Sequence, residues 1–211
     1  MTSNDSPRGY HKYIAAIDLE TTGVFFSNKQ ESPVVHEKTG EYYQIVSAGI
    51  VIVESDSFEP VEKRYYEVKW NGESLWAADA ESVHGLTKTH LEQHGISEED
   101  FLCEFAELII KYFGTGTICT LGHNSTKFDL VFLQHLADRY GMYFNFGNRH
   151  IDTYALASVC WDVFNSDDLF WKAGLPERSA HNALEDIEFT LDVVRRTRMF
   201  FKHGLNDMLN N

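Results

Sequence analysis

The sequence predicts an α/β fold, a mixed five-stranded sheet flanked by helices, on three observations. Three apolar or β-branched runs follow one another in the first third of the chain, the pattern of an antiparallel meander. Runs at helical spacing then alternate with short apolar strands, the pattern of strands and helices layered on one sheet. No internal repeat, low-complexity tract or linker divides the chain.

Tyr13 to Leu19 (YIAAIDL) is apolar almost throughout and reads as a buried strand, with Thr21-Thr22-Gly23 as the turn after it. Residues 24–43 are polar and patternless and read as a long loop. Gln44 to Glu54 (QIVSAGIVIVE) is a second strand, and Glu62 to Trp70 a third, closed by an Asn71-Gly72 turn. Ala78 to Val83 predicts a short helix ended by Gly85. Ser97 with Asp100 resembles a capping box. After it Phe101, Leu102, Phe105, Leu108, Ile109 and Tyr112 recur at helical spacing until Gly114. Thr117 to Leu121 is a short strand. Phe128 to Tyr140 is a helix with Phe128, Phe132, Leu133 and Leu136 inward, and His150-Ile151 is a minimal strand. Asp152 caps a helix through about Cys160. Asp167, Asp168, Gly174 and Pro176 read as a loop. A last helix covers about 182–202, with Ile187, Leu191 and Val194 on its inner stripe. Met1 to Lys12 is polar and is expected to be a disordered leader, which leaves 13–205 as a single domain.

The chain has 211 residues, ample for one buried core. Its 18 Lys and Arg against 32 Asp and Glu give a net charge of −14. Wrapping long duplex DNA by counterion release needs many cationic contacts, so long duplex is expected only with a partner that supplies grip. A small site taking one strand end is compatible with the charge, because metal ions can neutralise it locally. No apolar run is long enough to cross a bilayer, so no membrane partner is expected, and the N-terminus lacks the apolar stretch of a signal peptide. Cys103, Cys119 and Cys160 are far apart and form no CxxC pair. That argues against a zinc site or a disulfide framework and predicts a reducing, cytoplasmic compartment.

Asp18 and Glu20 stand two residues apart at the end of the first strand, so their side chains share a face. Two carboxylates about 4 Å apart repel by roughly 4 kcal/mol at an effective dielectric near 20. Protonation, a basic partner or a metal must offset this, and the strand has no Lys or Arg beyond Lys12 at its start. A divalent cation is the simplest answer. Asp129 falls in the first turn of its predicted helix and Asp186 one turn into the last. Each alone is also explained by the helix macrodipole. His181 precedes Asp186 by five positions. Inside a helix that spacing would rotate it about 140° away, so it belongs on the loop before the helix, leaning over the same site.

Asp18-Leu19-Glu20-Thr21-Thr22-Gly23, then His123-Asn124 with Phe128-Asp129, then His181-Asn182-Ala183 with Asp186 and Thr190 resemble the three motifs of the DnaQ-like (DEDDh) 3′→5′ exonuclease family. Val83-His84-Gly85-Leu86-Thr87 is similar to the family's HGIT segment. Each motif alone is weak; three in order, each in its expected context, are specific. The resemblance covers about residues 13–200 and implies a ribonuclease H-like fold. It implies that Asp18, Glu20, Asp129 and Asp186 bind two Mg²⁺ or Mn²⁺, four negative charges against four positive. One ion would activate a water and the other stabilise the leaving O3′. His181 would accept the water's proton, and the product would be a nucleoside 5′-monophosphate. Candidate substrate-binding residues are Leu19, Thr21, Thr22, His84 and Asn124. For His84, contact with the terminal nucleotide competes with loop packing, and Asn124 is equally suited to tying down its loop. Asp152 resembles a recurrent family acid, but a helix N-cap accounts for it. Phe25 and Phe26 either stack on a base or pack internally. The stretch Trp161 to Trp171, rich in aromatic and acidic residues, is open between covering the site and forming a protein interface.

Three functions compete. The first is a free-standing exonuclease acting on single-stranded DNA or RNA 3′ ends or on short oligonucleotides. The second is a proofreading or repair subunit with a polymerase partner. Such subunits carry a C-terminal extension, and the chain ends at Asn211 soon after its last predicted helix, which favours the first. The third is a catalytically idle nucleic-acid-binding or scaffold module, against which the intact acids and His181 count. The length resembles that of compact dimeric members of the family and implies a homodimer. Val83 stands where ribonuclease T has an aromatic residue, Thr21-Thr22-Gly23 lacks the Met of the oligoribonuclease motif, and the 24–43 loop is longer than usual. The resemblance therefore leaves DNA and RNA both open.

Overall fold

The computed structural model describes residues 11–25, 32–177 and 181–209, with side chains as far as 202. Residues 1–10 of the expected leader, and Phe26, lie outside the described residues. Strands β1 (Tyr13–Thr21), β2 (Ile45–Glu54), β3 (Pro60–Glu67), β4 (Ile118–Gly122) and β5 (Phe146–Asp152) form one sheet in the order β3-β2-β1-β4-β5. β1, β2 and β3 make the expected antiparallel meander, and β4 and β5 join it in parallel. The helices are α1 (Ala78–His84), α2 (Lys88–His94), α3 (Glu98–Phe113), α4 (Asp129–Arg139), α5 (Thr153–Leu156), α6 (Ser166–Lys172) and α7 (Ala183–Leu209). The α/β class and the mixed five-stranded sheet are those the sequence predicts.

Alternation along β1 sorts its residues between two cores. Ala15, Ile17 and Leu19 pack against Phe101, Phe105 and Leu108 of α3 and Phe132, Leu133 and Leu136 of α4. Ile14 and Ala16 face the other way, onto Ile187, Leu191 and Val194 of α7. Asp18 and Glu20 continue that second row, so both carboxylates point to the α7 side. β2 is buried on both faces, which is why its sequence is a continuous apolar run rather than an alternating one.

Gly49 sits at the centre of β2, opposite Asp18. A β-carbon there would lie 2.2 Å from the carbonyl oxygen of Ala183, the first residue of α7. The start of α7 is thus seated directly on the β2 backbone, which only glycine permits.

Several local expectations are corrected. Thr21 belongs to β1 rather than to the turn, and β5 has seven residues instead of two. Asp167 and Asp168, expected in a loop, lie in the first turn of α6. The Asn165 side chain caps that helix by accepting the Asp168 N–H, and its two acids suit a helix start. The helix begun by Asp152 is α-helical only to Leu156 and continues as a π turn over Ala157–Trp161. α7 runs on to Leu209. α2 was not expected at all: KTHLEQH has one apolar residue, Leu91, and so no periodicity, although Thr87 is a standard N-cap. The 24–43 loop holds a small hairpin, with a bridge between Val35 and Tyr42 and Val34 fully buried. Among the described residues no helix is long and apolar enough to cross a membrane.

A Gly49→Ala substitution is expected to lower stability by about 1–3 kcal/mol, because the added methyl displaces the start of α7. The readout is the midpoint of urea unfolding. An unchanged midpoint would show that α7 is not seated on β2 in this way.

Candidate active site

Rows of cross-strand neighbours define the floor of the site. Asp18 lies beside Gly49 and then Tyr65; Glu20 lies beside Ser47 and then Glu67. Above this floor α7 begins. Asn182 caps it: its side-chain oxygen accepts the N–H groups of Leu184 (3.1 Å) and Glu185 (3.2 Å), and its carbonyl accepts that of Asp186 (2.8 Å). Asp186 is thereby fixed one turn into the helix, 4% exposed and turned toward the sheet. His181 precedes the cap, on the loop where the spacing placed it. Its backbone N–H donates to the Val83 carbonyl (3.3 Å), which ties this loop to the end of α1.

His181 Nδ1 is 3.6 Å from Asp186 Oδ2. Glu20, His181 and Asp186 each bring a donor atom into one group whose members all lie within 4.8 Å of one another. Asp18 is half-buried on the same strand face but outside this trio. Asp129, the first residue of α4, is also outside it and is 2% exposed. Burial pushes the Asp129 carboxyl well above the usual carboxylate range; the backbone N–H groups of Asp129 and Leu19 oppose this, and the charges of Glu20 and Asp152 push it further. Asp129 and Glu20 are therefore within electrostatic reach of each other. Carboxylate oxygens are the donors that suit Mg²⁺ or Mn²⁺, and a nearby cation is what reverses such a raised carboxyl pKa.

The second motif is held by Asp152. Its Oδ1 caps α5 by accepting the Tyr154 N–H (2.9 Å) and also accepts the Asn124 N–H (2.7 Å). Asn124 is exposed and in the left-handed region at φ 56°. The side chains of Leu19, Thr21 and Thr22 are engaged inside the fold: Leu19 in the core, the Thr21 hydroxyl donating to the Gly23 carbonyl (3.0 Å), and the Thr22 hydroxyl accepting the Gln44 N–H (3.0 Å). His84 is buried; its Nδ1 accepts the Leu86 N–H (3.0 Å) and its ring stands edge-on to Trp76 at 6.4 Å. Burial lowers the His84 pKa, Glu81 and the Thr21 carbonyl raise it, and the charge of His181 lowers it further, so the two imidazoles sense each other. Phe25 packs on Tyr43, with centroids 4.6 Å apart. Of the Trp161 to Trp171 stretch, Trp161, Leu169 and Phe170 pack against Phe189 and Val193 of α7, while Phe164 and Trp171 are exposed.

Sequence reasoning missed the outer part of the floor. The Tyr65 hydroxyl donates to Glu67 Oε1 (3.3 Å), and Glu67 Oε2 meets His90 Nε2 at 2.7 Å. The Tyr65 phenol is pushed up to about 12, first by burial and then by Glu67, with Glu20 contributing. No signal short of the strand register could have placed these residues beside Glu20.

A family model described as exonuclease, of the RNase T type, matches residues 15–194. Curated protein sequences give no match. Among solved structures the chain is similar to E. coli exonuclease I. The complex of that enzyme with a dT13 oligonucleotide gives a TM-score of 0.71 at 18% identity, over 91% of this chain and 43% of that one. The zinc-bound form of its complex with single-stranded DNA gives 0.71 at 17% identity, over 93% and 43%. The apo form of exonuclease I gives 0.67 at 17% identity, over 88% and 42%. The chain thus spans less than half the length of these structures, and the shared property is the ribonuclease H-like fold.

The raised Asp129 carboxyl makes a prediction about the metal-free protein. Asp129→Asn removes a buried carboxyl whose charged form is disfavoured first by burial. In EDTA the variant should unfold at a temperature a few degrees higher, a gain on the order of 1 kcal/mol. A lower midpoint in a thermal melt would mean that this charge is not what burdens the site.

Proposed function

The chain belongs to the exonuclease family, and on that premise we propose that it is a metal-dependent 3′→5′ exonuclease. It would release nucleoside 5′-monophosphates from single-stranded ends or short oligonucleotides. The observation that supports this most is the convergence of Glu20, His181 and Asp186 within 4.8 Å beneath the capped start of α7. Asp18, Glu20, Asp129 and Asp186 would hold two Mg²⁺ or Mn²⁺. Bound there, such ions supply a water of lowered pKa and neutralise charge on the leaving oxygen.

The chain's own residues do the rest. Asp186 Oδ2 lies on the Nδ1 side of His181, at 3.6 Å, which leaves Nε2 as the ring nitrogen that would take the water's proton. As the water oxygen bonds to phosphorus, the P–O3′ bond breaks and O3′ leaves, to be protonated from solvent. The products are the terminal 5′-monophosphate and a strand shorter by one with a new 3′ hydroxyl. The tie from His181 to Val83 holds the base over the acids. Leu19, Thr21, Thr22, His84 and Asn124 would border the space for the terminal nucleotide. Single strands are favoured as substrate by the net charge of −14, which weakens any long duplex contact. The exonuclease I complexes with oligonucleotides point the same way.

His181→Ala should slow the reaction by roughly 10²–10⁴ with the circular dichroism spectrum unchanged. EDTA should abolish activity, and Mn²⁺ should restore it. A time course on matched 3′-labelled and 5′-labelled DNA and RNA strands tests polarity and sugar preference together. If no strand yields 5′-mononucleotides in Mn²⁺, or if they come from the 5′ end, the proposal fails.

A further inference from the structure

Lys88 follows directly on Val83-His84-Gly85-Leu86-Thr87 and lies between two indoles. Its ammonium is 3.4 Å from the centroid of Trp70 and 5.1 Å from that of Trp76. Both rings are anchored. Trp70 Nε1 donates to the carbonyl and hydroxyl oxygens of Ser74 (3.0 Å each), and Trp76 Nε1 donates to Glu81 Oε2 (2.6 Å). Trp76 stands edge-on to His84, and the neighbouring Ala77 N–H donates to the Thr22 carbonyl (2.7 Å). The clamp is therefore continuous with the first motif on one side and with the His181 loop on the other.

Six other described cations of this acidic chain are paired with its own acids. Lys63 meets Glu188, Arg64 and Lys111 share Glu62, Lys69 meets Glu92, Arg139 meets Glu98, and Arg195 meets Asp192. Among the described residues Lys88 has no such carboxylate. A ring face holds an ammonium in place without neutralising its charge, so the charge stays available to an anion. Nearby, the half-exposed indoles present ring surface of the kind on which bases of a single strand stack.

We propose that Lys88, held between Trp70 and Trp76, binds a backbone phosphate of the incoming single strand, upstream of the bond that is cut. Its place upstream rests on the exonuclease reading; the binding itself does not. The test is equilibrium binding of a fluorescent single-stranded oligo(dT) of about a dozen nucleotides, with Ca²⁺ present to hold back cleavage. It is followed by anisotropy across a salt series for the wild-type chain, Lys88→Gln and Lys88→Arg. Lys88→Gln should weaken binding about fivefold at low salt and flatten the slope of log Kd against log salt by about 0.7, the loss of one phosphate contact. Lys88→Arg should keep both. An unchanged slope in Lys88→Gln, an equal loss in Lys88→Arg, or a wild-type chain that does not bind the strand overturns the assignment. If the strand binds as expected but is not cut when Mn²⁺ is supplied, the exonuclease reading falls and the Lys88 assignment stands.

Discussion

The carbonyl of Ala183 occupies the space that a β-carbon on Gly49 would fill, and the arrangement of the site depends on that contact. Gly49 is the cross-strand neighbour of Asp18, so seating the start of α7 there brings a helix terminus to the acids of β1. The Asn182 cap fixes the pitch of the first turn, and the pitch fixes Asp186. Ile187, Leu191 and Val194 then hold the helix against Ile14, Ala16, Val51 and Val53, so that hydrophobic burial maintains a polar constellation. The geometry also helps electrostatically, because the positive end of a long helix faces the carboxylates. Displacing this one contact would move Asp186 and His181 together, away from Glu20.

The same seat makes the site a burden on the fold. Asp129 is buried with its charge disfavoured, Glu20 and Asp152 aggravate it, and backbone N–H groups oppose the effect. The surrounding structure must hold these acids in place: two apolar cores on either face of β1, and the hydrogen bonds of Asp152 to both Asn124 and Tyr154. Functional sites commonly concentrate such unfavourable terms, which a well-packed scaffold offsets.

What could be read from the sequence divides along physical lines. The shared face of Asp18 and Glu20 follows from strand alternation alone, and the loop position of His181 follows from five residues at 100° each; the structure has both. The stripes on α3, α4 and α7 were visible because long amphipathic helices repeat their pattern. α2 and α6 were not, since seven residues with one or two buried side chains carry no period, and their caps, Thr87 and Asn165, were the only signals. The role of Gly49 is not legible in the sequence for another reason. In an apolar strand a glycine reads as a weak point, and its value appears only when a distant helix is known to land on it. Tyr65 and Glu67 depend in the same way on register, since their place beside Glu20 is set by two successive strand pairings that no local pattern encodes.

The acidity of the chain then has two opposing consequences for the proposed chemistry. A net charge of −14 raises the local concentration of divalent cations and lowers that of polyanions. A strand end can approach only where the sign of the field is reversed, and the internal pairing of cations along β3, with Glu62 holding both Arg64 and Lys111, removes that edge as a place of grip. Two features of the described residues bear on the proposed grip: the carboxylate cluster, once cations balance it, and the lysine held between the indoles of Trp70 and Trp76. Binding concentrated at so few points has a shallow salt dependence and little hold on the middle of a strand. On the proposed reading a strand end would be held at the site, with Lys88 adding one backbone contact, and the acid excess would disfavour longer strands that the site does not engage.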